Sequence, residues 1–143
     1  MYELIVEQQP DTDLLDLLEQ KIDEFNAEHW EVKQRFPLAV SVKDEAGALL
    51  AGAAGRTFGK WLLLDNLWVS PELRGQRMGQ QLLLKLEEAA CERGCEFVLL
   101  DTLGFQARPF YESNGYQMQW TQAQYPSTGC KYFMTKSLLD VSA

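Results

Sequence analysis

Between Lys60 and Gly94 the chain reads KWLLLDNLWV, then SPELRGQRMG, then QQLLLKLEEAACERG. An apolar run of strand length, a glycine-bearing turn and a helix-patterned stretch leave few ways to fold. In the third piece Met78, Leu82, Leu86 and Ala89 or Ala90 fall on one stripe while Gln81, Lys85, Glu88 and Glu92 face away. That is the period of an amphipathic helix, and Gly94 supplies its stop. CEFVLLDT follows as a second short apolar run. A strand, a helix and a strand of these lengths form a right-handed crossover between parallel neighbours. The first N–H groups of the helix lack intrahelical partners and, with the helix dipole, favour negative charge. The unit therefore offers an anion site, most often for phosphate, at the C-terminal ends of two strands.

A length of 143 residues suits one domain with a proper core and is short for two, so residues 1–143 are expected to form a single domain. The formal charge of −8 argues against a protein that grips a nucleic-acid backbone, which requires Lys and Arg to neutralise several phosphates. It suits a cationic substrate better, although excess acid also serves solubility alone. No run approaches the ~20 apolar residues of a membrane span, and MYELIVEQQP lacks a basic region followed by an apolar segment and cleavage site. A cytoplasmic location without a membrane partner is the default expectation. Cys91, Cys95 and Cys130 are odd in number and lack paired zinc spacing, so no metal site is expected.

In chain order, YELIVEQ (2–8) alternates as an edge strand would, and Pro10 closes it. Asp11 or Thr12 can cap a following helix whose stripe is Leu14, Leu15, Leu18, Ile22 and Phe25, running to roughly Glu28. LAVSVKD, ALLAGAAGRTF and WLLLDNLWV read as an antiparallel meander leading into the parallel unit. Gly52 and Gly55 mark a bulge or a close backbone approach in its middle strand. Beyond Asp101, Pro109 fits the first turn of a short helix that Asn114-Gly115 ends in a left-handed cap. Tyr116 to Thr121 and Lys131 to Lys136 read as two further strands. The fold class is thus α/β, a mixed sheet of about six to seven strands with flanking helices and a central parallel β-α-β unit.

This order, with LWVSPELRGQ and RGQRMG after one strand and FQARPFYESNGY after the next, resembles the GNAT superfamily of acyl-CoA-dependent N-acetyltransferases. Within it, these stretches and the late YP…YFMTKSL are similar to small bacterial acetyltransferases. The superfamily's turn pattern falls on Arg74, Gly75, Gln76, Arg77, Met78 and Gly79, with Arg77 where the first patterned glycine is expected. A left-handed backbone there would cost a non-glycine residue ~1–2 kcal/mol. The favoured expectation is that Arg77 is already helical and that its guanidinium adds a phosphate contact. The resemblance implies acetyl-CoA as cosubstrate. Its pyrophosphate would sit on the N–H groups from Gln76 to Gln80, and its pantetheine arm would pair like an extra strand with Leu67 and Val69. Trp68, between them, joins this cofactor-binding set. In the superfamily the two parallel strands splay apart here to admit the arm.

Acetyl transfer from a thioester to an amine needs a neutral amine, a donor for the developing oxyanion and a proton for the departing thiolate. The resemblance implies the Val69 N–H as the oxyanion donor and Tyr111 as the acid, since a phenol near ~10 stays protonated at neutral pH. Tyr111 as mere packing between helix and sheet is the alternative. Asp65, inside the organising strand, is the leading carboxylate for the base. Alternation puts it on the face of Leu63 and Leu67, and its alternative is a hydrogen bond to a neighbouring strand or loop. His29, the only histidine, lies near the end of the first helix, where such a residue is more often a helix-end cap than a base. Trp30 and Phe36 could wall a pocket for the apolar part of an amine, and Gln106 could orient the thioester region.

The expected function is therefore acetyl transfer to a primary amine of a small molecule by direct attack in a ternary complex. A non-catalytic acyl-CoA-binding module of the same fold and a protein or peptide amine acetyltransferase are the alternatives. The oligomeric state stays open, a homodimer among the options.

Overall fold

A computed structural model describes residues 2–31, 34–105 and 107–139. The chain divides into two units, residues 1–33 and 34–143. In the first, Asp11 accepts a hydrogen bond from the Leu14 N–H at 2.9 Å and so caps helix α1, Thr12–Asn26. The side chain satisfies one of the donors that a helix start leaves without partners. Residues 2–8 form no strand, contrary to their alternation. Alternation alone does not hold a strand: residues 2–8 are exposed throughout, and α1 is the only regular element among the described residues of this unit.

The second unit is built on a six-stranded sheet. Its strands are β1 (Phe36–Lys43), β2 (Leu49–Phe58), β3 (Trp61–Val69), β4 (Phe97–Leu103), β5 (Gln117–Ala123) and β6 (Cys130–Ser137), in the order β1-β2-β3-β4-β6-β5. Only β3 and β4 run parallel; all other neighbours are antiparallel. Their crossover is helix α2, Met78–Glu92, reached through a short 3-10 turn at Pro71–Leu73. Leu82, Leu83 and Leu86 of α2 are fully buried or nearly so, with Ala90 rather than Ala89 completing the stripe. Each leucine buried in this way contributes about 1.5–3 kcal/mol. The opposing core comes from Ala51, Ala53, Leu62, Leu64, Val98, Leu100 and Met134. A third helix, α3 (Arg108–Ser113), has Pro109 in its first turn and ends at Asn114, with Gly115 left-handed at φ 93°.

Two irregularities set up the site. Ala54 pairs with Asn66 and Gly55 with Leu64, so Asp65 is the extra residue of a bulge in β3. A bulge resets alternation, which places Leu67 and Val69, with Leu62 and Leu64, against the core. The expectation that Asp65 and Leu67 share a face fails for that reason. Gly55 is where the backbones approach, since a Cβ there would collide with the Leu63 carbonyl oxygen. Gly55→Ala must push β2 and β3 apart, and we expect it to cost about 1–3 kcal/mol. A urea midpoint unchanged from wild type would show that the bulge does not need the glycine.

The second irregularity is a gap. Parallel pairing links Trp61 to Phe97, Leu62 to Val98 and Leu63 to Leu99, and then stops. Beyond that point β3 continues to Val69 alongside β2, and β4 to Leu103 alongside β6. The two central strands therefore separate toward their C-terminal ends.

Candidate active site

Beside the end of β3 that β4 leaves unpaired lies a cavity of about 600 Å³. One wall is the end of β3, where Leu67, Trp68 and Val69 line it. Leu73, Arg74, Gly75 and Arg77 of the following turn and Met78, Gly79 and Gln80 of the first turn of α2 make its floor. Ala107, Phe110, Ser113 and Asn114 form the far wall. Nine of the ten residues expected around a cofactor thus meet in one place; the tenth, Gln76, does not line the cavity and instead accepts a hydrogen bond from Gln81 Nε2 on its carbonyl at 3.4 Å.

The floor is made to meet negative charge. The first intrahelical bond of α2 runs from the Gln81 N–H to the Arg77 carbonyl at 3.1 Å, so the N–H groups of Met78, Gly79 and Gln80 precede the ladder. No side chain caps this end and no acidic residue occupies its first turn. Arg77, the residue that caps α2, lines the cavity with a left-handed backbone at φ 59°, ψ 25°. The helical conformation expected for Arg77 is therefore corrected: the turn needs the left-handed geometry to aim the N–H groups, and arginine accepts its cost. Arg74 Nε donates to the Val69 carbonyl at 3.2 Å and ties the turn to the end of β3. Gly79 matters for clearance, since a Cβ there would lie 3.3 Å from Phe110 Cζ. Without a side chain at Gly79, the far wall can close on the helix N-terminus.

Tyr111 lies on α3, buried, with its ring 5.2 Å from that of Phe110 and 5.6 Å from that of Tyr116. It does not line the cavity as its neighbour Phe110 does. Burial, and secondarily the Asp101 carboxylate, push the Tyr111 hydroxyl above the usual phenol range. The phenol therefore holds its proton throughout neutral pH. Tyr116 is pushed up further, by burial first and then by Glu87, which accepts its hydroxyl proton at 2.7 Å.

Asp65 stands outside the cavity. Arg56 on β2 grips both its carboxylate oxygens, Nε to Oδ2 at 3.0 Å and Nη2 to Oδ1 at 2.9 Å. The bond to a neighbouring strand weighed from the sequence is the arrangement found. His29 belongs to the first unit, its ring 4.9 Å from that of Phe25. Gln106 lies outside the described residues. Sequence reasoning missed the far wall: Phe110 stands beside the tyrosine that drew attention, and its apolar character in a one-and-a-half-turn helix was the available signal.

No helix among the described residues is long and apolar enough to cross a membrane. A family model described as an acetyltransferase (GNAT) domain matches residues 37–118. Over 95 residues the chain is 34% identical to the blasticidin-S acetyltransferase of Streptomyces morookaense, spanning 66% of this chain and 70% of that protein. The crystal structure of an acetyltransferase from Bacillus cereus superposes with a TM-score of 0.84 at 28% identity, over 96% of this chain and 100% of that one. An aminoglycoside 6'-N-acetyltransferase complexed with coenzyme A shares the fold at a TM-score of 0.66 and 17% identity, over 92% of this chain and 90% of that one. Matched along its sheet, its crossover helix and the short helix that follows, this chain belongs to the GNAT acetyltransferase family and is an acyltransferase.

Proposed function

We propose that the protein transfers the acetyl group of acetyl-CoA to a primary amine of a small molecule, by direct attack while both substrates are bound. The single observation that carries this reading is the cavity beside the unpaired end of β3, floored by a helix N-terminus that has Arg74 and Arg77 in the turn before it and no acid in its first turn. Such a floor fits a diphosphate, and the stretch of β3 that lines the cavity, unpaired with β4, offers strand-like pairing to an arm with two amides. The structurally similar enzyme noted above is a coenzyme A complex, and the relative at 34% identity is named for blasticidin S; both are in keeping with a small acceptor.

Acetyl-CoA, when bound, supplies an acetyl group activated as a thioester. The protein supplies the rest. The N–H groups of Met78, Gly79 and Gln80, with Arg77, hold negative charge at the floor. The Val69 N–H stands at the end of β3 as the donor for charge developing on the acyl oxygen, and one such donor is worth about 2.7–4 kcal/mol. Tyr111 Oη, next in the chain to Phe110 of the far wall, keeps a proton at neutral pH; it would give that proton to the departing thiolate and regain one from the nitrogen as it is acylated.

The test is release of free thiol from acetyl-CoA in the presence of polyamines, aminoglycosides, amino acids or peptides. Thiol released by a small amine is the expected result. Release by peptides alone would make the protein a peptide acetyltransferase, and binding of acetyl-CoA with no release by any amine would leave a non-catalytic module. Arg77→Gly probes the floor separately. It removes left-handed strain of about 1–2 kcal/mol, partly offset by the added freedom of the unfolded chain. We expect an unchanged or slightly raised Tm together with about tenfold weaker binding of free coenzyme A by calorimetry. Unchanged affinity would remove Arg77 from the phosphate site.

A further inference from the structure

β4 presents two faces. Val98, Leu100 and Thr102 are buried on the core side, whereas Phe97, Leu99, Asp101 and Leu103 alternate onto the other. Asp101 lies two residues beyond Leu99, the last residue of β4 paired with β3. It therefore sits where the two strands have parted, on the opposite face from the core. It is exposed and makes no hydrogen bond or ion pair among the described residues. Asp65, by contrast, has its charge neutralised by Arg56.

Directly opposed residues of an antiparallel pair place their side chains on the same face. Asp101 is opposed by Phe133 of β6, and Phe133 by Trp120 of β5. The Phe133 and Trp120 rings lie 5.4 Å apart, and the indole is more than half exposed at 59%. One unpaired carboxylate thus borders an accessible aromatic shelf. An ammonium gains Coulombic attraction from the first and cation–π attraction from the second, while the shelf takes up apolar surface attached to it.

We infer that Asp101, with Phe133 beside it and Trp120 one strand farther on, receives the ammonium group of the acceptor, and that the acceptors of this enzyme are amines carrying an apolar or aromatic body. The inference rests on the amine-acetylation reading above. The Asp101 charge is felt by the Tyr111 phenol, so an amine held there waits near the group assigned as the acid. Asp101 acts here as a specificity-determining residue; the ammonium proton passes to solvent water before the neutral amine attacks.

The test uses 2-phenylethylamine as the probe and 2-phenylethanol as its neutral counterpart, titrated into the full-length protein with coenzyme A present and followed by Trp fluorescence and calorimetry. Wild type is expected to bind the amine saturably and the alcohol at least about tenfold more weakly. Asp101→Asn should remove that preference without changing the affinity for coenzyme A. Trp120→Leu should weaken both probes severalfold and keep the preference, which guards against a folding defect in either variant. No saturable amine binding by wild type, equal binding of amine and alcohol, or an undiminished preference in Asp101→Asn would overturn the inference. Failure of the two readings is distinguishable. Amine binding that depends on Asp101 without thiol release would sink the acetylation reading alone, and thiol release indifferent to Asp101→Asn would sink the Asp101 site alone.

Discussion

Tyr111→Phe is expected to lower kcat for acetyl transfer by about 10²–10⁴-fold while the affinity for coenzyme A stays within a factor of two or so of wild type. The substitution keeps the ring, and the ring is what packs: it lies edge-on to both Phe110 and Tyr116 in the buried cluster. It removes only Oη, which makes no hydrogen bond among the described residues, so little stability is at stake. What disappears is a proton held above the usual phenol range by burial and by Asp101. A group that acts only as the leaving thiolate forms lowers kcat and kcat/KM together and leaves ground-state binding alone. Steady-state kinetics with calorimetric titration of coenzyme A separates the two quantities. Turnover equal to wild type would reduce Tyr111 to packing.

The second large effect concerns stability. Glu87 on α2 is buried at 5% exposure and accepts two hydrogen bonds, from Tyr116 Oη at 2.7 Å and from Lys136 Nζ at 2.8 Å. Three separate parts of the chain, the crossover helix, the residue after the α3 cap and the strand β6, converge on that carboxylate. Lys136→Met leaves an anion in the core with a single neutral donor. Removing one partner of such a buried pair costs about 3–5 kcal/mol; because Lys136 keeps some solvent contact, we expect the lower end, near 3 kcal/mol. For a chain of this size that is a fall in Tm of about 6–12 °C. Glu87→Gln placed in the Lys136→Met background should recover much of the loss, since the amide is neutral and its oxygen still accepts from Tyr116. A double-mutant cycle by thermal or urea unfolding gives the coupling. A Lys136→Met variant within about 0.5 kcal/mol of wild type would show that solvent screens the pair.

Neither Glu87 nor Asp101 was legible beforehand, and the reason is the same for both. Glu87 falls beside Leu83 and Leu86 on the buried side of a helix whose stripe was readable, but its partners lie 29 and 49 residues away. No local period carries such a pairing. Asp101 was visible only as the last charged residue of an apolar run; its meaning depends on where β3 stops pairing with β4. Asp65, the carboxylate that did stand out, owes its environment to Arg56 on another strand and to a bulge that alternation does not anticipate.

What this sequence determined by itself was the order and type of elements from Leu38 to Lys136, together with a helix N-terminus bare of acid after an apolar strand. These follow from periods of two and 3.6, from glycine and proline punctuation and from the geometry of a parallel crossover, all properties of neighbouring residues. Tertiary structure alone decided that residues 2–8 form no strand, that Arg77 is left-handed, and that Phe110 closes the far wall. It also decided which carboxylate is spent on an arginine and which is left facing solvent. Those outcomes depend on contacts between distant segments, and the free energy that selects them is absent until the sheet has assembled.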